Sequence, residues 1–287
     1  MGLGDSLAGV TFECDFPPAA REKSVVVRTR LPHSLSPAEI DRQVNEFVER
    51  GESLYEVDSQ ALKTIDPDLI ITQDLCHVCA ATPGDLGSAL GALPRAPHVL
   101  ALSPMTLADV WDDIQKVGAA TGRDSQAGAL AHELERRVAA VEQTVSQSPE
   151  RPRAVCLEWL DPPFIAGHWV PEMVERAGGV DALGEQGKPG FRSTWESVLN
   201  AQPEAIVVMP CGYHLKEAVE EFKSLPHPQG WETLPAVRNG RVFVVDGSSY
   251  FSRPGPRLVD GVEILAHILH PERAPGTLPA SSIERVA

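Results

Sequence analysis

Residues 154–171, AVCLEWLDPPFIAGHWVP, are the stretch from which the fold is predicted. The stretch begins as an apolar strand, breaks at Pro162 and Pro163, and passes through Gly-His-Trp before Pro171. Proline interrupts central strands and favours the first turn of a helix, so a strand, a turn and a helix are predicted in that order. Ligands of open α/β sheets bind at the carboxyl ends of strands. We expect these residues at that end: Glu158, Trp159, Phe164, His168 and Trp169.

The length and charge of the chain exclude several classes of protein. Its 287 residues, 43% of them hydrophobic, can bury a sizeable core in two lobes. The formal net charge of -15 argues against a nucleic-acid partner and against an anionic membrane surface, since both need clustered Lys and Arg. No apolar run reaches the roughly 18 residues of a membrane span.

The strand and helix pattern predicts an α/β protein with two lobes. Apolar runs that alternate with helical segments are typical of a mainly parallel sheet covered by helices on both faces. The segment from Thr106 to Val145 has helical periodicity, with a break at Gly122 and Asp124, and predicts a long helical connector. The predicted divisions are an N-terminal lobe (1–104), a connector (105–150) and a C-terminal lobe (151–287).

An internal repeat supports the two-lobe prediction. The stretches LKTIDPDLIITQDLC (62–76) and VLNAQPEAIVVMPC (198–211) share a helix, a proline, an acidic residue, an apolar strand and a final cysteine. By the same register, the opening MGLGDSLAGV (1–10) matches RAGGVDALGEQ (176–186), which follows a strand and a helix. The first lobe is therefore expected to lack its own first strand and helix, about 15 to 20 residues.

The five cysteines and the opening residues bear on the compartment. An odd number of cysteines and an opening without a charged or apolar leader region favour a reducing cytoplasm for the chain as written. If the N-terminus is incomplete, a periplasmic or cell-surface location is expected instead.

The cysteines also suggest a metal site. Thiolates and imidazoles bind zinc, iron clusters and other thiophilic metals. Free cysteines more often serve as small buried hydrophobic residues, and Cys156, within an apolar strand, is interpreted that way. A thiol redox site using Cys76 and Cys79 is a third alternative. The candidate metal ligands are Cys14, Cys76, His77, Cys79 and Cys211.

Aromatic residues cluster in the loops after the C-terminal strands, although only 6% of the chain is aromatic. Large aromatic faces suit a flat apolar ligand such as a macrocycle. Trp111 and Trp195, at helical spacing, are interpreted as core residues, and acidic helix faces such as KEAVEEF (216–222) as solvated surface. The aromatic set is Trp159, Phe164, Trp169, Tyr250 and Phe251.

Several stretches together resemble the substrate-binding proteins of cobalamin and iron-siderophore ABC importers, the class with a helical backbone between two lobes. The carriers of this resemblance are GVTFECDFPP (9–18), IDPDLIITQ (65–73), WLDPPFIAG (159–167), ERAGGVDALG (175–184), STWESVLNAQPEAIVV (193–208) and YFSRPGPRLVDG (250–261). The branch that it most resembles is that of cobalamin-binding proteins.

The resemblance implies roles for individual residues. Glu13 stands where cobalamin binders usually carry an aromatic residue. A glutamate on each lobe docks onto the permease in these importers, and the corresponding residues here are Gln60 and Glu196. The implied ligand contacts are Glu13, Phe164, Trp169, Tyr250 and Phe251.

The leading hypothesis is a monomeric binding protein, not an enzyme, that holds a corrinoid or a related metal macrocycle or siderophore in an interlobe cleft. Glu13, Glu158 and His168 would meet the polar groups of the ligand. An ABC permease is a possible partner. The alternative hypothesis is a cytosolic metal or iron-sulfur protein that uses the cysteines of the cleft.

Overall fold

The computed structural model describes residues 1–32, 35–74, 83–274 and 276–287. The chain divides into two compact units, a first unit of residues 1–103 and 115–128 and a second unit of residues 104–114 and 129–287. The predicted connector comprises two helices, α4 (Leu107–Ala120) and α5 (Asp124–Val145), and each contributes residues to both units. Gly122, at φ +65°, lies in the break predicted between them.

In its described residues the first unit contains two small sheets, three complete α-helices and parts of α4 and α5. Strands β1 and β2 are parallel and β2 and β3 antiparallel, while β4 and β5 form a separate parallel pair. Helix α1 has the predicted capping box, in which Ser36 and Glu39 bond each other's backbone N–H groups. The strands are β1 (Gly9–Thr11), β2 (Ser24–Thr29), β3 (Tyr55–Val57), β4 (Leu69–Gln73) and β5 (His98–Leu102), and the helices are α1 (Pro37–Glu49), α2 (Ser59–Ile65) and α3 (Pro83–Leu90).

The second unit is built on a seven-stranded sheet in the described chain. Its strands are β6 (Arg153–Leu160), β7 (Pro163–Ile165), β8 (Val180–Asp181), β9 (Phe191–Arg192), β10 (Ala205–Val208), β11 (Val242–Val245) and β12 (Ile283–Arg285). The order is β12-β11-β10-β6-β7-β9, with β8 beside β6. Strands β6, β8, β10 and β11 are parallel, and the antiparallel strands β7, β9 and β12 complete the sheet.

Helices and parallel strands enclose the core of the second unit. Its helices are α6 (Val170–Arg176), α7 (Trp195–Asn200), α8 (Leu215–Ser224), α9 (Pro235–Arg238), α10 (Gly247–Tyr250) and α11 (Leu258–Leu269). Strand β10 is buried along its whole length, as its continuous apolar sequence predicts for a central parallel strand. Cys156 is fully buried, Trp111 is 7% exposed, and Trp195 packs edge-on against Trp231. The sequence-based assignment of these three residues to packing is confirmed.

The two prolines after β6 behave differently from the prediction of a simple turn. Pro163 is the first residue of β7, which folds back antiparallel to β6. Proline is tolerated at the first position of a strand, because the ladder does not need its missing N–H there. The chain therefore makes a hairpin before it reaches helix α6.

Among the helices of the described residues, none combines the length and the apolar character needed to cross a membrane.

Candidate functional site

Three loops of the second unit meet at the carboxyl end of its parallel strands. The first loop follows the hairpin of β6 and β7, the second follows β10, and the third follows β11. The backbone N–H of Ser248 donates to the Tyr213 carbonyl at 3.0 Å, which links the β10 loop to α10. The Trp169 Nε1–H donates to the Phe251 carbonyl at 2.7 Å, which links the start of α6 to the end of α10. These bonds hold the loops in a fixed arrangement.

Three aromatic residues, Trp159, Phe164 and Tyr213, form what we call the aromatic wall. The rings of Trp159 and Tyr213 meet edge to face, with centroids 5.6 Å apart and an interplanar angle of 77°. Phe164 is paired with Trp159 across β6 and β7, so both side chains lie on the same face of the sheet. All three are partly exposed. The wall therefore offers ring surface to a ligand.

Cationic side chains lie beside two of the aromatic rings. The Arg192 guanidinium lies 6.0 Å from the ring centroid of Phe164, and that of Arg257 lies 6.0 Å from the centroid of Tyr250. Such distances allow cation–π attraction. Burial raises the pKa of Tyr250, and neighbouring carboxylates raise it further, so its hydroxyl stays protonated at neutral pH.

Two residues predicted to contact the ligand are core residues in this structure. Trp169 is 4% exposed and Phe251 is 2% exposed. The indole N–H of Trp169 is occupied by the Phe251 carbonyl. The structure corrects their assignment: the two residues hold the loops together. The prediction failed because an aromatic residue after a strand can face the interior as readily as the solvent.

His168 lies in a tightly packed loop. Its φ of +55° is unusual for a residue with a side chain. Its backbone N–H donates to the Lys188 carbonyl, and its own carbonyl accepts from Gly187 at 3.0 Å. A Cβ atom at the preceding Gly167 would overlap the backbone nitrogen of Gly190, so glycine is required there. Burial lowers the pKa of His168, which favours the neutral imidazole.

Glu158 lies two residues after Cys156 on β6, where the register between β6 and β7 shifts. Glu158 is half-buried, and a Cβ atom at Gly190 would overlap its Oε1 atom. The missing side chain of Gly190 therefore leaves room for the carboxylate. Burial raises the pKa of the Cys156 thiol well above its usual value, and the charges of Asp181 and Glu158 add to this effect. Cys156 is not a reactive thiol in this environment.

Glu221 on α8 is a buried acid that the sequence analysis assigned to solvated surface, and this assignment was wrong. It is 8% exposed. Neither of its carboxylate oxygens has a hydrogen-bond partner of good geometry in the described part of the chain. Burial raises the pKa of Glu221 to about 7; interaction with the Tyr213 hydroxyl lowers it in part, and the charge of Asp161 raises it. Glu221 thus interacts with Tyr213, one residue of the aromatic wall.

Sequence signals existed for two residues that the analysis missed. Tyr213 follows β10 as the other aromatic residues follow β6 and β11, so the same rule extended to a third loop would have included it. Glu221 lies three residues after the buried Ala218, on the apolar stripe of α8. Reading that helix by its periodicity, and not by its charge, would have placed Glu221 inside.

The predicted metal ligands are only partly within the described residues. Cys76, His77 and Cys79 lie outside them. Cys14 belongs to the first unit, with its Sγ atom 3.4 Å from Thr11 Oγ1, and Cys211 is exposed in the second unit. Within residues 1–32, 35–74, 83–274 and 276–287, no group of three or more His, Cys, Asp or Glu side chains could hold a metal ion. The prediction for Cys76, His77 and Cys79 stays untested.

The remaining predicted residues are Glu13 and Gln60 in the first unit and Glu196 in the second unit. Glu13 lies two residues after the end of β1 and is half-buried. Gln60 and Glu196 each occupy the second position of a helix, α2 and α7 respectively. The side chains of Asp58 and Thr194 cap these two helices. The two docking candidates therefore have equivalent local positions in the two units.

Comparison with known proteins identifies relatives along most of the chain. A family model described as "Periplasmic binding protein" matches residues 56–248. The uncharacterised ABC transporter substrate-binding lipoprotein YvrC of Bacillus subtilis is 23% identical over 281 residues, covering 95% of this chain and 76% of the relative. The vitamin B12-binding protein of Vibrio cholerae is 24% identical over 268 residues, covering 91% of this chain and 80% of the relative.

Solved structures show the same fold. A periplasmic heme-binding protein from Pseudomonas aeruginosa superimposes with a TM-score of 0.71 at 20% sequence identity, covering 97% of this chain and 90% of the other.

Proposed function

Because the chain belongs to the periplasmic binding protein family, we propose that it is the ligand-binding component of an ABC importer for a corrinoid or a related metal macrocycle. The relatives support the class of ligand, since one is named a vitamin B12-binding protein and a structural neighbour a heme-binding protein. The alternative of a cytosolic metal or iron-sulfur protein is not supported, nor is the cytoplasmic location, because the family is one of periplasmic binding proteins. We propose an extracytoplasmic location for this chain.

The aromatic wall is the observation on which this proposal depends. A flat macrocycle needs exposed ring surface that is held rigid, since ordering flexible side chains on binding costs free energy. Trp159 and Tyr213 support each other edge to face, and the Tyr213 loop is tied to α10 by the Ser248 N–H. We propose that the macrocycle packs on this wall, with Tyr250 as a further contact and with Glu158 and His168 near its polar groups. Glu13 is the contact proposed for the first unit.

Titration with cyanocobalamin and with hemin tests the proposal. We expect one of them to bind with a Kd below about 100 μM, which is about -5.5 kcal/mol, and to quench tryptophan fluorescence. Trp159→Ala and Tyr213→Ala should each weaken binding about tenfold or more, because each removes ring contact worth on the order of 1 kcal/mol in addition to buried area.

Matched substitutions serve as controls for this titration. Trp159→Phe and Tyr213→Phe keep an aromatic ring and should retain most of the affinity. Val180→Ala changes an exposed residue beside the amino end of β6 and should leave binding unchanged. The proposal would be contradicted if neither macrocycle binds. It would also be contradicted if the alanine and phenylalanine variants bind with equal affinity.

We propose further that Glu196 contacts the permease of the importer. Glu196 is in the first turn of α7, and Gln60 has the matching place in α2, so the first unit presents a neutral amide where the second presents a carboxylate. In a reconstituted importer, Glu196→Lys should abolish uptake while macrocycle affinity stays unchanged. Unchanged uptake by this variant would exclude the contact.

A further inference from the structure

A cavity of the second unit lies at the opposite end of its sheet from the aromatic wall. Its volume is about 640 Å³. It is lined by the segment that follows α5, by the turn before β11, by the end of α11 and by β12. All of these lie at the amino ends of the parallel strands. The macrocycle proposed above would not use this cavity.

Three arginines line the cavity: Arg241, Arg273 and Arg285. Arg241 donates from Nη2 to the carbonyls of Ile268 and Leu269, at 3.0 and 3.1 Å. These are terminal carbonyls of α11, so Arg241 offsets the negative end of that helix dipole. Without Arg241, the partial negative charge of these carbonyls would repel an anion in the cavity.

The other two arginines, Arg273 and Arg285, are exposed to solvent. In the part of the chain that the structure describes, the side chains of Arg273 and Arg285 make no ion pair and no hydrogen bond. Glu150 and Glu272 also line the cavity but pair with neither of them in the same part of the chain. Both guanidinium groups are exposed to solvent and keep their N–H donors available, in a chain whose carboxylates outnumber its arginines and lysines by 40 to 25.

The backbone makes room for one of these guanidinium groups. Gly240 has a φ of +62°, and a Cβ atom there would overlap Nη2 of Arg285. Arg285 is also paired with Phe243 across β11 and β12, so its side chain lies on the same face as a partly exposed aromatic ring. The cavity therefore combines two unpaired cations with an apolar surface.

We propose that this cavity is a second binding site, for a small organic anion with two or more carboxylate or phosphate oxygens. A guanidinium group presents a planar pair of N–H donors that matches such oxygens. Arg273 and Arg285 would bind the oxygens, and Phe243 would contact the apolar part of the ligand. This inference does not depend on the proposed import function.

Calorimetric titration with citrate, against sodium chloride at equal ionic strength, tests the site. We expect a Kd below about 1 mM. Arg273→Ala and Arg285→Ala should each weaken citrate binding at least tenfold while the circular dichroism spectrum and macrocycle affinity stay unchanged. Arg238→Ala is the matched control, because Arg238 is exposed near the turn before β11 but does not line the cavity. The affinity of this variant for citrate should change less than twofold.

Three results would overturn the proposal. The first is no citrate binding tighter than about 10 mM. The second is an equal loss in Arg238→Ala and Arg285→Ala, since that would indicate non-specific attraction of anions. The third is binding to phosphatidylglycerol vesicles without binding to citrate, which would assign the arginines to a lipid surface.

Discussion

Helix α2 with strand β4 in the first unit matches helix α7 with strand β10 in the second unit, residue by residue. Asp58 and Thr194 cap the two helices. Each helix is followed by a residue with a φ of +45°, Asp66 in one unit and Gln202 in the other, and a proline comes next. The local backbone is thus the same in both units.

The two strands differ in burial. Ile71 in β4 is 47% exposed, whereas Val207 at the matching place in β10 is fully buried. Strand β10 lies between β6 and β11, while β4 pairs only with β5 among the described residues. The comparison shows that the local sequence determines the backbone of the repeat, and that neighbouring strands determine how deeply the apolar side chains are buried.

The largest effect is expected when matched isoleucine side chains in β10 and β4 are shortened to alanine. Ile206→Ala should reduce the free energy of unfolding by about 3 to 4 kcal/mol, because Ile206 is fully buried. Ile70→Ala should cost about 1 to 2 kcal/mol, since Ile70 is only partly buried. Urea denaturation measures both. All five tryptophans belong to the second unit, so their fluorescence reports on that unit, and circular dichroism reports on the whole chain. Equal losses would contradict the comparison.

The buried acid of the second unit gives a smaller effect that depends on pH. The pKa of Glu221 is about 7 in the folded protein against a usual value of 4.5. The folded state therefore holds this proton more tightly than the unfolded state. The contribution of Glu221 to stability is most favourable below about pH 4.5 and is lost as the pH rises from there through about 7. Glu221→Gln should be more stable than the parent protein by about 1 to 3 kcal/mol at pH 8.5 and nearly equal to it at pH 5.

Glu220→Gln is the control for this experiment. Glu220 lies on the same helix with its side chain 68% exposed, so the substitution should leave the pH dependence unchanged. Thermal unfolding from pH 5 to 8.5 measures the three proteins. A parallel pH profile for Glu221→Gln and the parent would show that Glu221 is ionised in the folded state at neutral pH.

The smallest effect is expected to be equal in the two units. Asp58→Ala and Thr194→Ala should each reduce stability by about 1 kcal/mol, because each removes one bond to a helix N–H group. The two values should agree within about 0.5 kcal/mol, since a cap acts within one turn of its own helix. If Thr194→Ala reduced stability several times more than Asp58→Ala, the contribution of a helix cap would also depend on the burial of the surrounding unit.

The sequence predicted the repeat, the two-lobed α/β class, the break between α4 and α5, and the packing roles of Cys156, Trp111 and Trp195. Each of these rests on periodicity, proline placement or a local cap. It did not predict the β7 hairpin, the division of the first unit's strands between two sheets, or the burial of Glu221. Each of these depends on which strand or helix lies alongside, and the partner is far away in the chain.

The candidate site was predicted in location but only partly in its residues. The carboxyl end of β6 was identified from its sequence, and Phe164 and Tyr250 are partly exposed there as a ligand contact requires. Trp169 and Phe251, from the same loops, are buried. The sequence by itself determined which loops carry aromatic residues, because strand ends follow from local pattern. Only the tertiary structure decided which rings face solvent, because that depends on contacts between the loops, such as the bond from Trp169 Nε1 to the Phe251 carbonyl.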